Sequence, residues 1–171
     1  MVIHIDLNYI AGFFDGEGCA RATKVGACKY KDGKERRRLW KPMIDVSNTN
    51  EEVIREIHDF LKIGKVYVHH NKHNPKIKDQ WRLCIWGYKD IIQFCDLIME
   101  KTVVKKEILK LVREFAIYVE STKMKHKTWT NKRGNMGWTD EDIEFVRQKF
   151  VVPIRDLIRM SSNKGRRTVM I

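Results

Sequence analysis

Four stretches of this chain alternate apolar with polar residues, and others repeat apolar positions every three or four residues. Asp6 is placed to cap a helix from Leu7 to about Phe14, with Gly16 and Gly18 as its breakers. Cys19–Tyr30 and Leu39–Asn48 read as strands joined by the basic, turn-rich loop Lys31–Arg38. Thr49 or Asn50 then caps a helix over Glu51–Lys62, where Val53, Ile54, Ile57, Phe60 and Leu61 keep helical spacing, and Gly64 ends it. Lys65–Asn71 and Lys76–Trp86 read as two more strands around the turn His73-Asn74-Pro75. Helices from about Lys89 to Met99 and from Val103 to Val119 follow. Beyond the polar loop Lys123–Trp138, Thr139 with Asp142 makes a capping box, and Pro153 opens a last helix. The expected fold is α+β: an αββαββα core whose antiparallel sheet is covered by helices, plus C-terminal helices. No linker is long enough to divide the chain, so residues 1–171 are expected to form one domain, with a core of about 6–119 and an extension of about 120–171.

Alternation also sorts the strand residues by face. Ala20 and Ala22 oppose Arg21 and Thr23; Ile44 and Val46 oppose Lys41, Met43 and Asp45. Val66 and Val68 oppose Tyr67, His69 and Asn71; Leu83 and Ile85 oppose Gln80, Arg82 and Cys84. One face is apolar, and the other carries side chains able to hydrogen-bond base edges. Any antiparallel sheet with one solvated face looks much the same, so this pattern alone decides little.

Charge changes the balance. Lys and Arg number 34 against 22 Asp and Glu, a net charge of +12 in 171 residues, which calls for a polyanionic partner. At 43% hydrophobic residues the chain is too apolar for a disordered basic tail. No apolar run approaches the roughly 20 residues of a membrane span, and Met1–Tyr9 has no signal-peptide pattern. The four cysteines lack C-x-x-C spacing, which fits a reducing compartment. The expectation is an intracellular protein that binds nucleic acid and no membrane, although a ribosomal neighbour would share this charge.

The first helix carries the chemistry. Ala11-Gly12 in its interior is costly, since a helical Gly loses about 1 kcal/mol against Ala. Gly12 and Gly16 lie four apart, on one face, where they would let another backbone approach. The helix also ends in two acids, Asp15 and Glu17, which oppose the macrodipole and call for a cation.

Here the chain resembles the LAGLIDADG homing endonucleases. Tyr9-Ile-Ala-Gly-Phe-Phe-Asp-Gly-Glu-Gly18 follows the family motif, with Ile10 for the leading Leu and Glu17 for the last Asp. The resemblance covers at least Asp6 to about Val119. It implies that two such helices pack through their small residues and that their last acids hold divalent ions at the helix bases. With one motif in the chain, it implies a homodimer with Ile10, Ala11, Gly12, Phe13, Asp15 and Gly16 at the interface. Glu17 and the Gly16 carbonyl would be the metal ligands, taking Mg²⁺, with Mn²⁺ substituting and Ca²⁺ binding without cleavage. The activity implied is a site-specific double-strand cut with 3′ overhangs in a long pseudo-palindromic DNA site.

Other positions carry over from the family pattern. Asn48 stands where a polar side chain helps order water, and Lys101 is in register with a lysine near the cleft. Where a basic residue is familiar, the register gives Glu52, with Arg55 a turn later. DNA contacts are expected from Arg21, Thr23, Lys41, Asp45, His69, Asn71, Gln80 and Arg82 on the sheet. Lys132 and Arg133, between Trp129 and Trp138, are expected on phosphate. His69, His70 and His73 lack a fourth ligand for zinc, and Trp40, Trp81 and Trp86 read as core or edge packing. The lack of a flanking splicing domain suggests intron rather than intein encoding, in a prokaryotic cytoplasm or an organelle. Two alternatives stay open: an RNA maturase acting on its own intron RNA, and a DNA-binding regulator that has lost catalysis.

Overall fold

The computed structural model describes residues 5–25, 39–70, 78–125 and 139–164. Asp6 starts α1 (Leu7–Glu17), its carboxylate accepting the Tyr9 N–H at 2.7 Å. The helix runs a turn past Phe14, and Gly18 then leaves it directly into β1 (Gly18–Val25). The breaker is Gly18 alone, because a Cβ there would overlap the Phe14 ring. Helix and strand are therefore joined without a loop, which fixes where the last acid of α1 can sit.

Beyond β2 (Leu39–Asn48), Asn50 caps α2 (Glu51–Leu61) through the Glu52 N–H at 3.0 Å. Lys62 at φ 54° and Gly64 at φ 81° then turn the chain into β3 (Lys65–His69). Gly64 is required twice over, since a Cβ there would also lie 2.7 Å from the Cys84 carbonyl oxygen. β4 (Gln80–Ile85), α3 (Tyr88–Ile98) and α4 (Lys106–Lys125) complete the expected αββαββα order. α4 begins three residues later than Val103, because residues 103–105 form a tight turn against α1.

The sheet order is β1-β2-β4-β3, with every neighbouring pair antiparallel. Gly18 pairs with Val46, Asp45 with Cys84, and Tyr67 with Arg82, so the register puts the sorted residues on the faces expected. Ala20, Ile44, Val46, Leu83 and Ile85 are buried under the helices. The edge strand β3 is covered less than its apolar pattern suggests, for Val68 is exposed.

Phe14 anchors α1 in the core, fully buried and edge-on to Phe94 at 5.4 Å. Burying a ring this size contributes roughly 2–3 kcal/mol. The C-terminal helices join the same apolar cluster through Val146, Phe150, Val151 and Ile154. Thr139 and Asp142 form the expected capping box on α5 (Asp140–Val146). A π-helical turn, Arg147–Val151, links α5 to α6 (Val152–Lys164) just before Pro153, which has no N–H to continue a regular ladder. No helix of the described residues is long and apolar enough to cross a membrane.

Candidate active centre and nucleic-acid interface

Two glycines of α1 have no purpose inside the subunit. A Cβ at Gly12 or Gly16 would meet nothing within 4 Å, and both residues are exposed. Tyr9 and Phe13, their ring centroids 5.9 Å apart, are each only half-buried beside this stripe. Ile10 and Ala11, expected at the interface, are at 1% and 0% exposure. They face the subunit's own core and have no surface left for a partner. The bare stripe is thus Gly12 and Gly16, bordered by Phe13.

The two acids at the helix end have separate fates. Asp15 is half-buried, and its carboxylate accepts the N–H groups of Val103 at 2.8 Å, Val104 at 3.1 Å and Lys105 at 3.0 Å. It caps the turn that starts α4. Lys105 returns the contact: its Nζ donates to the carbonyls of Phe14 at 2.9 Å and Gly18 at 2.7 Å. These carbonyls end α1, where orphan acceptors and the negative pole of the dipole lie. Burial pulls the Lys105 ammonium below its ordinary value, opposed by Asp15, Cys19 and Glu17. The cation that α1 calls for is therefore in part a lysine. Lys101, expected near the cleft, is exposed on the turn after α3, and among the described residues no hydrogen bond or ion pair joins its side chain to α1.

Glu17 is left over. It is exposed on the last helical position, and among the described residues no hydrogen bond or ion pair holds its carboxylate. Among those residues no three acids, histidines or cysteines cluster to hold a metal ion. The chain therefore offers the Glu17 carboxylate beside the exposed residue Gly16 at a helix end, hard oxygen donors of the kind Mg²⁺ or Ca²⁺ takes. That donor set fits a divalent ion as part of a site.

The polar face of the sheet holds a connected network. Arg21 Nη1 lies 2.8 Å from Asp45 Oδ1, and Arg82 Nε lies 4.0 Å from Asp45 Oδ2. Arg82 Nη2 donates to Gln80 Oε1 at 3.2 Å, and Gln80 Nε2 donates to Ser47 Oγ at 3.4 Å. Asp45 is only 5% exposed, and burial pushes its carboxyl upward from its ordinary value against the pull of Arg21 and Arg82. Expected as a DNA contact, it lies instead beneath the two arginines. Thr23, Lys41 and His69 share this face and are at least partly exposed. Among the described residues His69 gathers no metal-binding cluster, and His70 is held by Asp79 at 2.8 Å.

Asn48 sits differently from the network. Its register places it on the helix-covered side, and its Oδ1 accepts the Asn50 N–H at 2.9 Å, turning the chain into α2. Glu52 is exposed, while Arg55 pairs with Glu51 at 2.6 Å and lies 5.0 Å over the Trp81 ring. Asn71, His73, Lys132 and Arg133 lie outside the described residues.

Comparison with known proteins agrees with this architecture. The LAGLIDADG endonuclease family model matches residues 10–103, more than half of the chain. The chain belongs to that family. Solved structures show the same fold at low identity. The homing endonuclease I-CvuI, solved with the I-CreI target DNA in the presence of Mg, is 16% identical with a TM-score of 0.54, covering 91% of this chain and 94% of its own. The archaeal intron-encoded homing endonuclease I-Vdi141I, complexed with DNA, is 19% identical with a TM-score of 0.52, covering 88% and 95%. I-GzeII, complexed with its DNA target, is 16% identical with a TM-score of 0.58, covering 89% of this chain but only 44% of its own. No curated protein sequence matches the chain.

Proposed function

We propose that this chain is one half of a homodimeric, divalent-metal-dependent homing endonuclease that makes a double-strand cut with 3′ overhangs in a long pseudo-palindromic DNA site. The observation that carries the reading is the pairing of a free acid, Glu17, with a bare glycine stripe on the same helix. Each helical glycine costs about 1 kcal/mol against Ala and here returns nothing within the subunit. A second α1 laid along Gly12 and Gly16 would use that space and bring two copies of Glu17 to one centre. I-GzeII, about twice this chain's length, is matched over 44% of its own length, which fits a fold built of two such halves.

The chain's own residues do the positioning. The polar sheet face, with Arg21, Thr23, Lys41, Gln80 and Arg82, would lie along the duplex and fix its register. Glu17 and the Gly16 carbonyl would hold Mg²⁺, with Mn²⁺ as a substitute and Ca²⁺ as a binding-only ion. When bound, such an ion lowers the pKa of a coordinated water and stabilises the leaving oxygen. Lys105 holds the helix end that aims Glu17, and its positive charge stays beside the centre. Asn48 stands two residues beyond Val46, the strand partner of Gly18, and Lys101 two residues before the turn that Asp15 holds, and both would act beside the centre, Asn48 on the attacking water. The similarity to I-Vdi141I supports intron encoding. A cytoplasmic or organellar setting follows from that reading.

The test is direct. The purified protein is incubated with duplex DNA spanning its own insertion locus without the intron, in Mg²⁺ and in Ca²⁺. The reading expects a double-strand cut in Mg²⁺ and uncut, bound DNA in Ca²⁺. Binding of the intron RNA with no cut in any DNA would favour a maturase, and tight DNA binding with no cut in Mg²⁺ or Mn²⁺ would favour a regulator.

A further inference from the structure

Asp45 is an odd residue for a surface meant to meet phosphates. Its carboxylate is buried, which costs desolvation, and a negative charge there repels nucleic acid. Asp and Glu can read cytosine through its amino group, but a side chain 5% exposed beneath two arginines does not reach a base edge. Its use has to lie with its neighbours.

Register explains the arrangement. Asp45 on β2 pairs with Cys19 on β1 and with Cys84 on β4. Arg21 lies two residues after Cys19 and Arg82 two residues before Cys84, on the same face, so they flank Asp45 along opposite diagonals. Two guanidinium groups converging on this spot would repel each other and splay. One carboxylate between them, ion-paired at 2.8 Å with one and at 4.0 Å with the other, offsets that repulsion and leaves the trio at net +1.

The arginines are held but not consumed. A guanidinium has five N–H donors in a fixed fork. Arg21 Nη1 is ion-paired with Asp45 at 2.8 Å without forming a hydrogen bond to it; Nη1 donates to the Cys19 sulfur at 3.4 Å and Nη2 to the Met43 sulfur at 3.7 Å, weak acceptors that leave the fork available. Arg82 commits Nη2 to Gln80, and its Nε is buried without a hydrogen bond. About a third of each arginine side chain is open on the polar face. A fork with free donors and restricted rotamers matches the O6 and N7 acceptors of guanine in the major groove. Restricting the fork beforehand removes an ordering cost that a free arginine would meet on binding.

We propose that Asp45 is a positioning residue that holds Arg21 and Arg82 as a rigid pair of guanine readers, so that each half of the DNA site carries guanine opposite both. The proposal rests on the DNA-binding reading given above and adds a base identity and a reason for the buried acid.

Selection from duplex DNA randomised across both half-sites, with Ca²⁺ to prevent cutting, tests it. The unaltered protein should enrich guanine at two positions per half-site, symmetric about the centre, by roughly ten- to a hundredfold over other bases. Arg21→Ala should erase the preference at one position and Arg82→Ala at the other. Asp45→Asn, nearly the same shape, should weaken both preferences about tenfold while affinity for random duplex holds or rises, which a merely structural role would not produce. Enriched sites without guanine, or both preferences intact in Asp45→Asn, overturn the inference and leave the DNA-binding reading standing. A protein that enriches no duplex at all overturns both. Should Asp45→Asn not fold, Arg21→Lys and Arg82→Lys decide: charge is kept and the fork lost, so each should lose one guanine position at unchanged random-duplex affinity, and a retained preference is contrary evidence.

Discussion

Asp15 and Lys105 tie the end of α1 to the start of α4 in both directions. The Asp15 carboxylate accepts the Lys105 N–H at 3.0 Å, while the Lys105 ammonium reaches past it to the carbonyls of Phe14 and Gly18. Asp15 thus stabilises the N-terminal pole of one helix and Lys105 the C-terminal pole of another. The helix end that carries Glu17 is braced from a point some 88 residues away in sequence.

This brace should be measurable as coupling. Asp15→Ala removes the acceptor of three backbone N–H groups and should cost about 1–2 kcal/mol. Lys105→Met strips two carbonyls of their donor and should cost a similar amount, roughly 1–2 kcal/mol. In urea unfolding the double variant should lose less than the two single losses added, because each residue sets the other's geometry. Cleavage should fall in both single variants, as the brace aims Glu17.

Gly12 in the first helix and Gly18 at its exit should separate by role. Gly12→Ala fills open space within the subunit and should raise subunit stability by about 0.5–1 kcal/mol. Gly12→Leu should leave the fold intact yet abolish the dimer in sedimentation. Gly18→Ala should destabilise the subunit itself by at least about 1–3 kcal/mol, because its Cβ overlaps the Phe14 ring. A Gly12→Leu protein that stays dimeric and active would remove α1 from the interface.

Base discrimination should depend on pH before stability does. Burial raises the Asp45 carboxyl from its ordinary value, with Arg21 and Arg82 opposing and the buried Cys84 thiol beside it. A folded-state value above the unfolded one means that protonation favours the fold. The stability due to this group is thus fully present below the unfolded value and lost as pH rises through the folded one. Acidification through that raised value neutralises the acid and releases both arginines without unfolding the chain through this group. Selectivity for the enriched site over random duplex should therefore decline while circular dichroism still reports native structure. Asp45→Asn should show no such decline.

Affinity should be steeply salt-dependent. If about ten phosphates are neutralised per dimer, log K should fall with log salt at a slope of about −9. Lys132→Ala and Arg133→Ala should flatten that slope and weaken all sequences alike, as phosphate contacts do. A base-specific loss in either variant would place it on a base edge instead.

Local pattern carried much of this architecture, and long-range contact explains the rest. Strand alternation put Arg21, Asp45, Gln80 and Arg82 on one face because side-chain period and face are the same geometric fact. It could not give depth, so Asp45 looked like a contact when it is buried beneath its neighbours. The motif pointed to the helix but not to its exposed side: Ile10 and Ala11 turned inward because the core claims apolar residues ahead of any partner. Val103 and Val104 read as the start of α4, yet they are 85% and 64% exposed in a turn held by Asp15. That misplaced start hid Lys105. Two acids at a helix C-terminus call for a cation, and Lys105 supplies part of that charge.

Glu17→Gln in both subunits tests the central claim most directly, measured as double-strand cleavage of the protein's own target in Mg²⁺ beside affinity for the same DNA in Ca²⁺. The exchange keeps the side-chain shape and removes a charge that no described protein group holds. If Glu17 is the metal ligand, affinity should stay near that of the unaltered protein or rise, since a negative charge beside phosphates is gone. Cleavage should collapse, because an amide oxygen is a poor ligand for Mg²⁺. Undiminished double-strand cleavage by that dimer would contradict the account.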